Sequence, residues 1–165
     1  MVRRAMLRDL NSVLALYAAA PAGTLCPTPT RFATRRAIAS GELFVLADGD
    51  PLEDVVGCIL LNRAQPLEYA QVAWRVPAAR EQALVVHALC VAPAARRQGH
   101  ATGLLRFSLE RARKLGCTAV RLDTWVSNAP ACALYEQLGF TRAGSRPVVV
   151  DDRADEQIFF ERDTR

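Results

Sequence analysis

The sequence predicts a mixed α/β fold of α+β character, built on one sheet in a single domain over residues 1–165. Three observations predict it. Apolar runs of strand length alternate with amphipathic stretches of helix length along the chain. No interdomain linker and no internal repeat interrupts that alternation. The 165 residues, 51% apolar and 23% charged, are enough for a substantial hydrophobic core.

The elements follow in order. Val2 to Met6 reads as a short opening strand. Asp9 can cap a helix running to about Tyr17, with Leu10, Val13, Leu14 and Tyr17 on one face. PAGTLCPTPT is a turn-rich loop, and Thr30 can cap a second helix from Arg31 to Ala39, closed by Gly41. Glu42 to Ala47 is a strand, DGDPLED the turn after it, and Val55 to Leu61 the next strand. Residues 62 to 83 lack a clear period and carry Pro66, Tyr69, Trp74 and Pro77; so long a connection is usually functional or mobile. Leu84 to Val91 reads as a buried strand, Gly99 to Leu115 as a helix closed by Gly116, and Thr118 to Trp125 as a strand. A short helix from Ala129 to Leu138 stops at Gly139, and Val148 to Val150 with Gln157 to Glu161 form a last strand pair around DDRADE.

Bulk properties exclude several classes. No run reaches the ~18 uninterrupted apolar residues of a membrane helix, so no membrane contact is expected. Basic residues precede an apolar stretch near the N-terminus, but Arg8, Asp9 and Asn11 break it, which argues against a signal peptide. Five cysteines, Cys26, Cys58, Cys90, Cys117 and Cys132, form no C-x-x-C pair. That pattern argues against a disulfide framework or a zinc site and fits a reducing cytoplasm. The net charge is +4, and Lys114 is the only lysine among scattered arginines. No basic tract with interleaved aromatics stands out, so nucleic acid is not an expected partner.

The stretch RRQGHATG, residues 96 to 103, opens the long helix. Acids usually occupy a first helical turn, yet this helix has none until Glu110. Its inward stripe is Leu104, Leu105, Ser108, Leu109, Ala112 and Leu115, and Arg113 with Lys114 complements the other end of the dipole. Unpaired N–H groups and a partial positive charge at the start suit an anion such as a phosphate or pyrophosphate. Gly99 lets the backbone approach a bulky ligand, and Ala101 keeps the approach narrow. An ordinary surface helix behind a glycine-containing turn is the competing reading.

The unit VVHALCVAPAARRQGHATGLL resembles the acetyl-CoA signature of the GNAT N-acetyltransferase superfamily: a strand, V-x-P, then [QR]-x-x-G-x-[GA], then a helix. Val91, Pro93, Arg96, Gly99 and Ala101 match it. Farther on, LDTWVSNAPACALYEQLGF resembles the family's second block through Asn128, Ala131, Tyr135, Glu136, Gly139 and Phe140. The two blocks cover residues 84 to 144. The resemblance implies a mixed, mostly antiparallel sheet flanked by helices, with strands 84–91 and 118–125 splayed to admit the pantetheine arm. It implies acetyl-CoA as co-substrate and no metal. Leu89, Cys90 and Val91 would form the cofactor strand, with backbone groups of Leu89 and Val91 pairing with pantetheine. Arg96, and the N–H groups of Arg97, Gln98, Gly99, His100, Ala101 and Thr102, would hold the pyrophosphate. Asn128 would contact the cofactor arm, as would Tyr135.

Amine acylation requires a deprotonated amine, a donor for the thioester oxygen and an acid for the leaving thiolate. The resemblance puts Tyr135 near the thioester sulfur as the acid; packing its helix onto the core is the alternative. A backbone N–H of the 84–91 strand, that of Leu89, is the candidate oxyanion donor. His87 shares a strand face with Leu89 and Val91, and VHALCV looks like the strand of arylalkylamine N-acetyltransferases, in which a histidine helps relay the proton. A hydrogen-bonded core histidine is the plainer role. Asp123 resembles, one methylene shorter, the glutamate base of ribosomal-protein acetyltransferases; anchoring a loop is its alternative. Tyr69 and Trp74 are candidates to line the acceptor pocket, or else to pack the long connection. The acidic residues Asp151, Asp152, Asp155 and Glu156 could draw in a cationic amine or simply form a solvated turn. The expected reaction is direct acetyl transfer to a primary amine of a small molecule or peptide. A non-catalytic CoA-binding sensor or partner module is the alternative, and family habit makes a homodimer plausible.

Overall fold

The computed structural model describes residues 1–21, 24, 25, 28–48, 55–150 and 152–165. Cys26, Asp151, most of DGDPLED and part of PAGTLCPTPT lie outside the described residues. The strands are β1 (Val2–Arg4), β2 (Leu43–Ala47), β3 (Val55–Asn62), β4 (Ala83–Val91), β5 (Ala119–Trp125), β6 (Thr141–Val150) and β7 (Arg153–Asp163). The helices are α1 (Leu10–Ala18), α2 (Arg31–Ala39), α3 (His100–Lys114) and α4 (Ala129–Gln137). The strands join in one seven-stranded sheet of order β1-β2-β3-β4-β5-β7-β6. β1–β2, β2–β3, β5–β7 and β6–β7 are antiparallel, and β4–β5 is parallel. Two compact units share these elements: Met1–Leu61 with His87–Phe107, and Asn62–Val86 with Ser108–Arg165.

In the first unit, β2 pairs β1 through Val2↔Leu46 and β3 through Val45↔Cys58. Its core gathers Val13, Leu16 and Tyr17 of α1, Ala37 of α2, Leu43 and Val45 of β2, Cys58 of β3, and Ala88 and Cys90 of β4. Leu16 takes the fully buried place expected for Leu14, which is only partly buried. Thr30 caps α2 as expected, its hydroxyl accepting from the Ala33 N–H at 3.1 Å. Asp9 does not cap α1 with its side chain. Its carboxylate turns back one turn, accepting from the Met6 N–H at 2.7 Å and from both Arg3 guanidinium nitrogens at 2.7 and 2.9 Å. A buried carboxylate gains more from a bidentate guanidinium than from one helical N–H.

In the second unit, β4 begins beside β5 with Ala83↔Ala119 and Val85↔Arg121. β5 continues against β7 with Asp123↔Phe159 and Trp125↔Gln157. The final hairpin is far longer than the predicted segments Val148 to Val150 and Gln157 to Glu161. Gly144, Ser145 and Pro147 broke the apolar alternation on which that reading relied. β6 tolerates them because it is an edge strand, where a proline need not donate and a glycine marks the bulge between Arg142 and Gly144. Residues 62–82 carry two short 3-10 turns, Leu67–Gln71 and Arg80–Gln82. Tyr69 from the first packs with Val85 and Phe159, and Val72 and Trp74 cover them.

Candidate active site

The phosphate-type loop is built in the first unit. Along β4, Ala88 and Cys90 are buried while His87, Leu89 and Val91 are half-buried, the alternation of a strand with one face in a core. The Cys90 thiol is therefore spent in that core. A hydrogen bond from Cys58 lowers the Cys90 thiol and, together with burial, raises that of Cys58. After β4 the chain makes a 3-10 turn at Pro93–Ala95 and then two left-handed residues, Arg97 at φ +64° and Gly99 at φ +81°. Glycine takes that region freely, whereas arginine pays for it. A methyl group added at Gly99 would meet no protein atom within 4 Å, so the loop has room in front of it.

The first α3 bond of the loop runs from the Gly103 N–H to the Gly99 carbonyl at 2.9 Å. The N–H groups just before Gly103 open the helix and are the ones a helix leaves without intrahelical partners. The first turn holds no acid. Arg96 folds its guanidinium back on the chain, donating to the carbonyls of Val91 at 3.3 Å and Ala19 at 3.4 Å. Gln98 donates to the Ala94 carbonyl at 3.2 Å. These bonds brace the loop's shape. The His100 Nε2 atom is buried and has no protein partner. Open space at Gly99, an acid-free helix start and an orphaned ring nitrogen together fit a polyanionic ligand such as the diphosphate of acetyl-CoA.

The second unit holds a polar cluster. The Tyr69 hydroxyl donates to Asp123 Oδ1 at 2.6 Å, and Gln157 Nε2 donates to Asp123 Oδ2 at 2.7 Å. Arg146 Nε donates to Gln157 Oε1 at 2.7 Å, and Glu68 approaches Arg146 at 3.9 Å. Tyr69 is buried; burial first, and then the Asp123 charge, push its phenol well above the ordinary value. Trp74 donates its indole N–H to the Tyr69 carbonyl at 2.9 Å, and its ring tilts against that of Tyr69 at 5.2 Å. Tyr69 and Trp74 thus form a packed pair whose polar end reaches Asp123.

Two buried ions hold the connection beneath this pair. Glu161 accepts from the N–H groups of Arg75 at 2.7 Å and Val76 at 3.1 Å. Arg121, opposite Glu161 in the β5–β7 ladder, lies 4.4 Å over the Trp74 ring. Burial lowers the Arg121 guanidinium, and the Glu161 charge opposes that shift.

Tyr135 is buried on α4, its ring 5.4 Å from that of Phe160 in an edge contact and 6.1 Å from that of Phe140. Strand alternation places Phe160 and Phe159 on opposite faces of β7. The Tyr135 ring therefore packs on the face opposite the one that carries Tyr69 and Asp123, while its phenol still bears electrostatically on that of Tyr69. Asn128 precedes α4 and donates to the Thr124 hydroxyl at 3.3 Å. Asp155 is part of β7 and not of a free turn. It accepts from the Ser127 hydroxyl and N–H and from the Glu156 N–H, and the Ser127 hydroxyl, first among these, holds its carboxyl below the ordinary range.

Sequence reasoning missed Gln157, Arg146, Arg121 and Glu161. A signal was present for two of them: Arg121 and Glu161 stand inside apolar strands, and a charge there must find a partner.

The fold and the loop are those expected of the GNAT acetyltransferase family. The family model for the acetyltransferase (GNAT) family matches residues 10–140, and the chain belongs to that family. It is 46% identical over 52 residues to GCN5-related N-acetyltransferase 6, chloroplastic, of Arabidopsis thaliana, a match covering 32% of this chain and 18% of that protein. It is 41% identical over 68 residues to human N-acetyltransferase 8, covering 41% of this chain and 30% of that protein. The matched segments span less than a third of each relative's length. Among solved structures, an N-acetyltransferase from Staphylococcus aureus Mu50 superimposes with a TM-score of 0.77 at 20% identity, covering 100% of this chain and 98% of that one. A GNAT phosphinothricin acetyltransferase from Sinorhizobium meliloti, solved in complex with acetyl-CoA, gives 0.76 at 20% identity over 99% of this chain and 87% of that one. Both establish the fold. Among the described residues, no helix is long and apolar enough to cross a membrane.

Proposed function

We propose that residues 1–165 act as one N-acetyltransferase domain that moves an acetyl group directly from acetyl-CoA to the primary amine of a small molecule or peptide. The observation that carries this reading is the loop from Arg96 to Gly103, with its left-handed Arg97 and Gly99 and no acid in the first turn of α3. Acetyl-CoA supplies the activated thioester; the chain supplies binding and proton handling. The N–H groups of Arg97 to Thr102 receive the diphosphate, braced by Arg96. Backbone groups of Leu89 and Val91 take the pantetheine arm, with Asn128 assisting, and the Leu89 N–H faces the thioester oxygen. Tyr135 protonates the departing thiolate. His87 or Asp123 relieves the amine of its proton. The four described cysteines are free, which fits a reducing cytoplasm.

The test is thiol release from acetyl-CoA against a panel of amines and peptides, with wild type and Tyr135→Phe compared. Acceptor-dependent release that falls about 100-fold in the variant, at unchanged acetyl-CoA affinity by calorimetry, is the expected result. Binding without release by any acceptor would leave a CoA-binding module. Loss of binding as well as turnover in the variant would remove Tyr135 from the chemistry.

A further inference from the structure

Gln157 is buried in the middle of β7, 3% exposed, where an apolar side chain would pack without desolvation cost. Both ends of its carboxamide are in use. Arg146, its direct neighbour across the β6–β7 ladder, donates to Oε1, and this bond dictates which way the amide faces. The –NH2 end then points along the diagonal of the β5–β7 ladder to Asp123, since Gln157 stands opposite Trp125, two residues beyond Asp123. Tyr69 supplies a second donor from the other side. An ionised carboxylate offers about four acceptor lone pairs, so two donors orient it and leave room for more. Asp123 is half-buried and keeps a solvent-facing part.

Holding the 62–82 connection does not by itself require Gln157. That connection is fastened directly by Glu161 to two backbone N–H groups and by Arg121 over Trp74, whereas Gln157 bonds only the strand residues Arg146 and Asp123 and meets the connection only through their contacts with Glu68 and Tyr69.

Resting on the acetyl-transfer reading above, we propose that Gln157 and Tyr69 are positioning residues. Together they set the Asp123 carboxylate to hold the acceptor, a cationic primary amine, as its ammonium. Asp123 touches the amine; Gln157 and Tyr69 act only through Asp123.

The test has one readout that needs no turnover. The side-chain carboxamide resonances of Gln157 are identified by their loss in Gln157→Met, and ethylamine hydrochloride is titrated against matched sodium chloride. They are expected to shift with the amine in wild type and not in Asp123→Asn. In the thiol-release assay, Gln157→Met, Gln157→Glu and Tyr69→Phe should each lower kcat/KM for the amine about tenfold or more, mainly through KM, with acetyl-CoA affinity unchanged. In an Asp123→Asn background the same substitutions should cost nothing further. No amine-dependent shift in wild type, or equal losses with Asp123 and without it, overturns the proposal. A shift with no thiol release from any acceptor upholds the amine site and fails acetyl transfer. Release that depends on Tyr135 without any shift does the reverse.

Discussion

Replacing Glu161 by glutamine tests the account of the 62–82 connection. Glu161 is fully buried, and its two oxygens are the partners of the Arg75 and Val76 N–H groups. Glutamine fills the same volume but presents an –NH2 to one of those donors, leaving a buried N–H unpaired at about 1–3 kcal/mol. It also removes the negative charge opposite Arg121, which is 4% exposed. That charge acts on Arg121 without a direct salt bridge and adds little to the lost hydrogen bond, so about 1–3 kcal/mol is the expected loss. For a chain of this size each kcal/mol moves Tm by about 2–4 °C, giving a drop of about 2–12 °C. Thermal melts followed by circular dichroism read it directly, with Glu156→Gln on the exposed side of β7 as a control expected to stay within about 0.5 kcal/mol. Proteolysis should also move into residues 62–82 in the Glu161 variant. A Tm change under about 2 °C, or cleavage unchanged, would refute the claim that Glu161 fastens this segment.

Asp9→Asn should lower stability by about 1–3 kcal/mol at neutral pH, with the deficit shrinking in acid. Arg3 first, and the Met6 N–H after it, hold the Asp9 carboxyl below its ordinary value against the opposing effect of burial. A depressed folded value means that the stabilisation is fully present above the unfolded value near pH 4 and is lost as pH falls through the folded one. Urea titrations of both proteins at pH 7 and pH 3 check it; a deficit that grows in acid would contradict the pairing. Gly99→Ala should cost stability only about 1–2 kcal/mol, the penalty of a left-handed alanine where no protein atom is crowded. Its acetyl-CoA affinity, read by calorimetry, should fall at least about tenfold if the open space before Gly99 receives the ligand. Unchanged affinity would move the diphosphate elsewhere.

Much of the architecture was legible because its signals are local. Thr30 immediately before a basic amphipathic run, and glycines at 41, 116 and 139 with φ of +67°, +69° and +76°, mark helix ends by rules that act within one turn. The anion loop was legible for the same reason, since Gly99 and the missing acids are features of consecutive residues. The length of β6 was not, because an edge position excuses Gly144 and Pro147 and nothing local reveals which strand is an edge. Nor was the partner of Asp9, because a guanidinium six residues back outbid the helix beside it.

The candidate site divides along the same line. Residue order by itself determined the element sequence, the acid-free helix start behind Gly99 and the residue types available for acylation. Only the tertiary structure decided that Asp123 meets Tyr69 from 54 positions away and Gln157 from 34, and that Tyr135 packs on the other face of β7. Backbone preferences act over a few residues and can be read in order. Hydrogen bonds between side chains on paired strands depend on register, and register is set only when the sheet assembles.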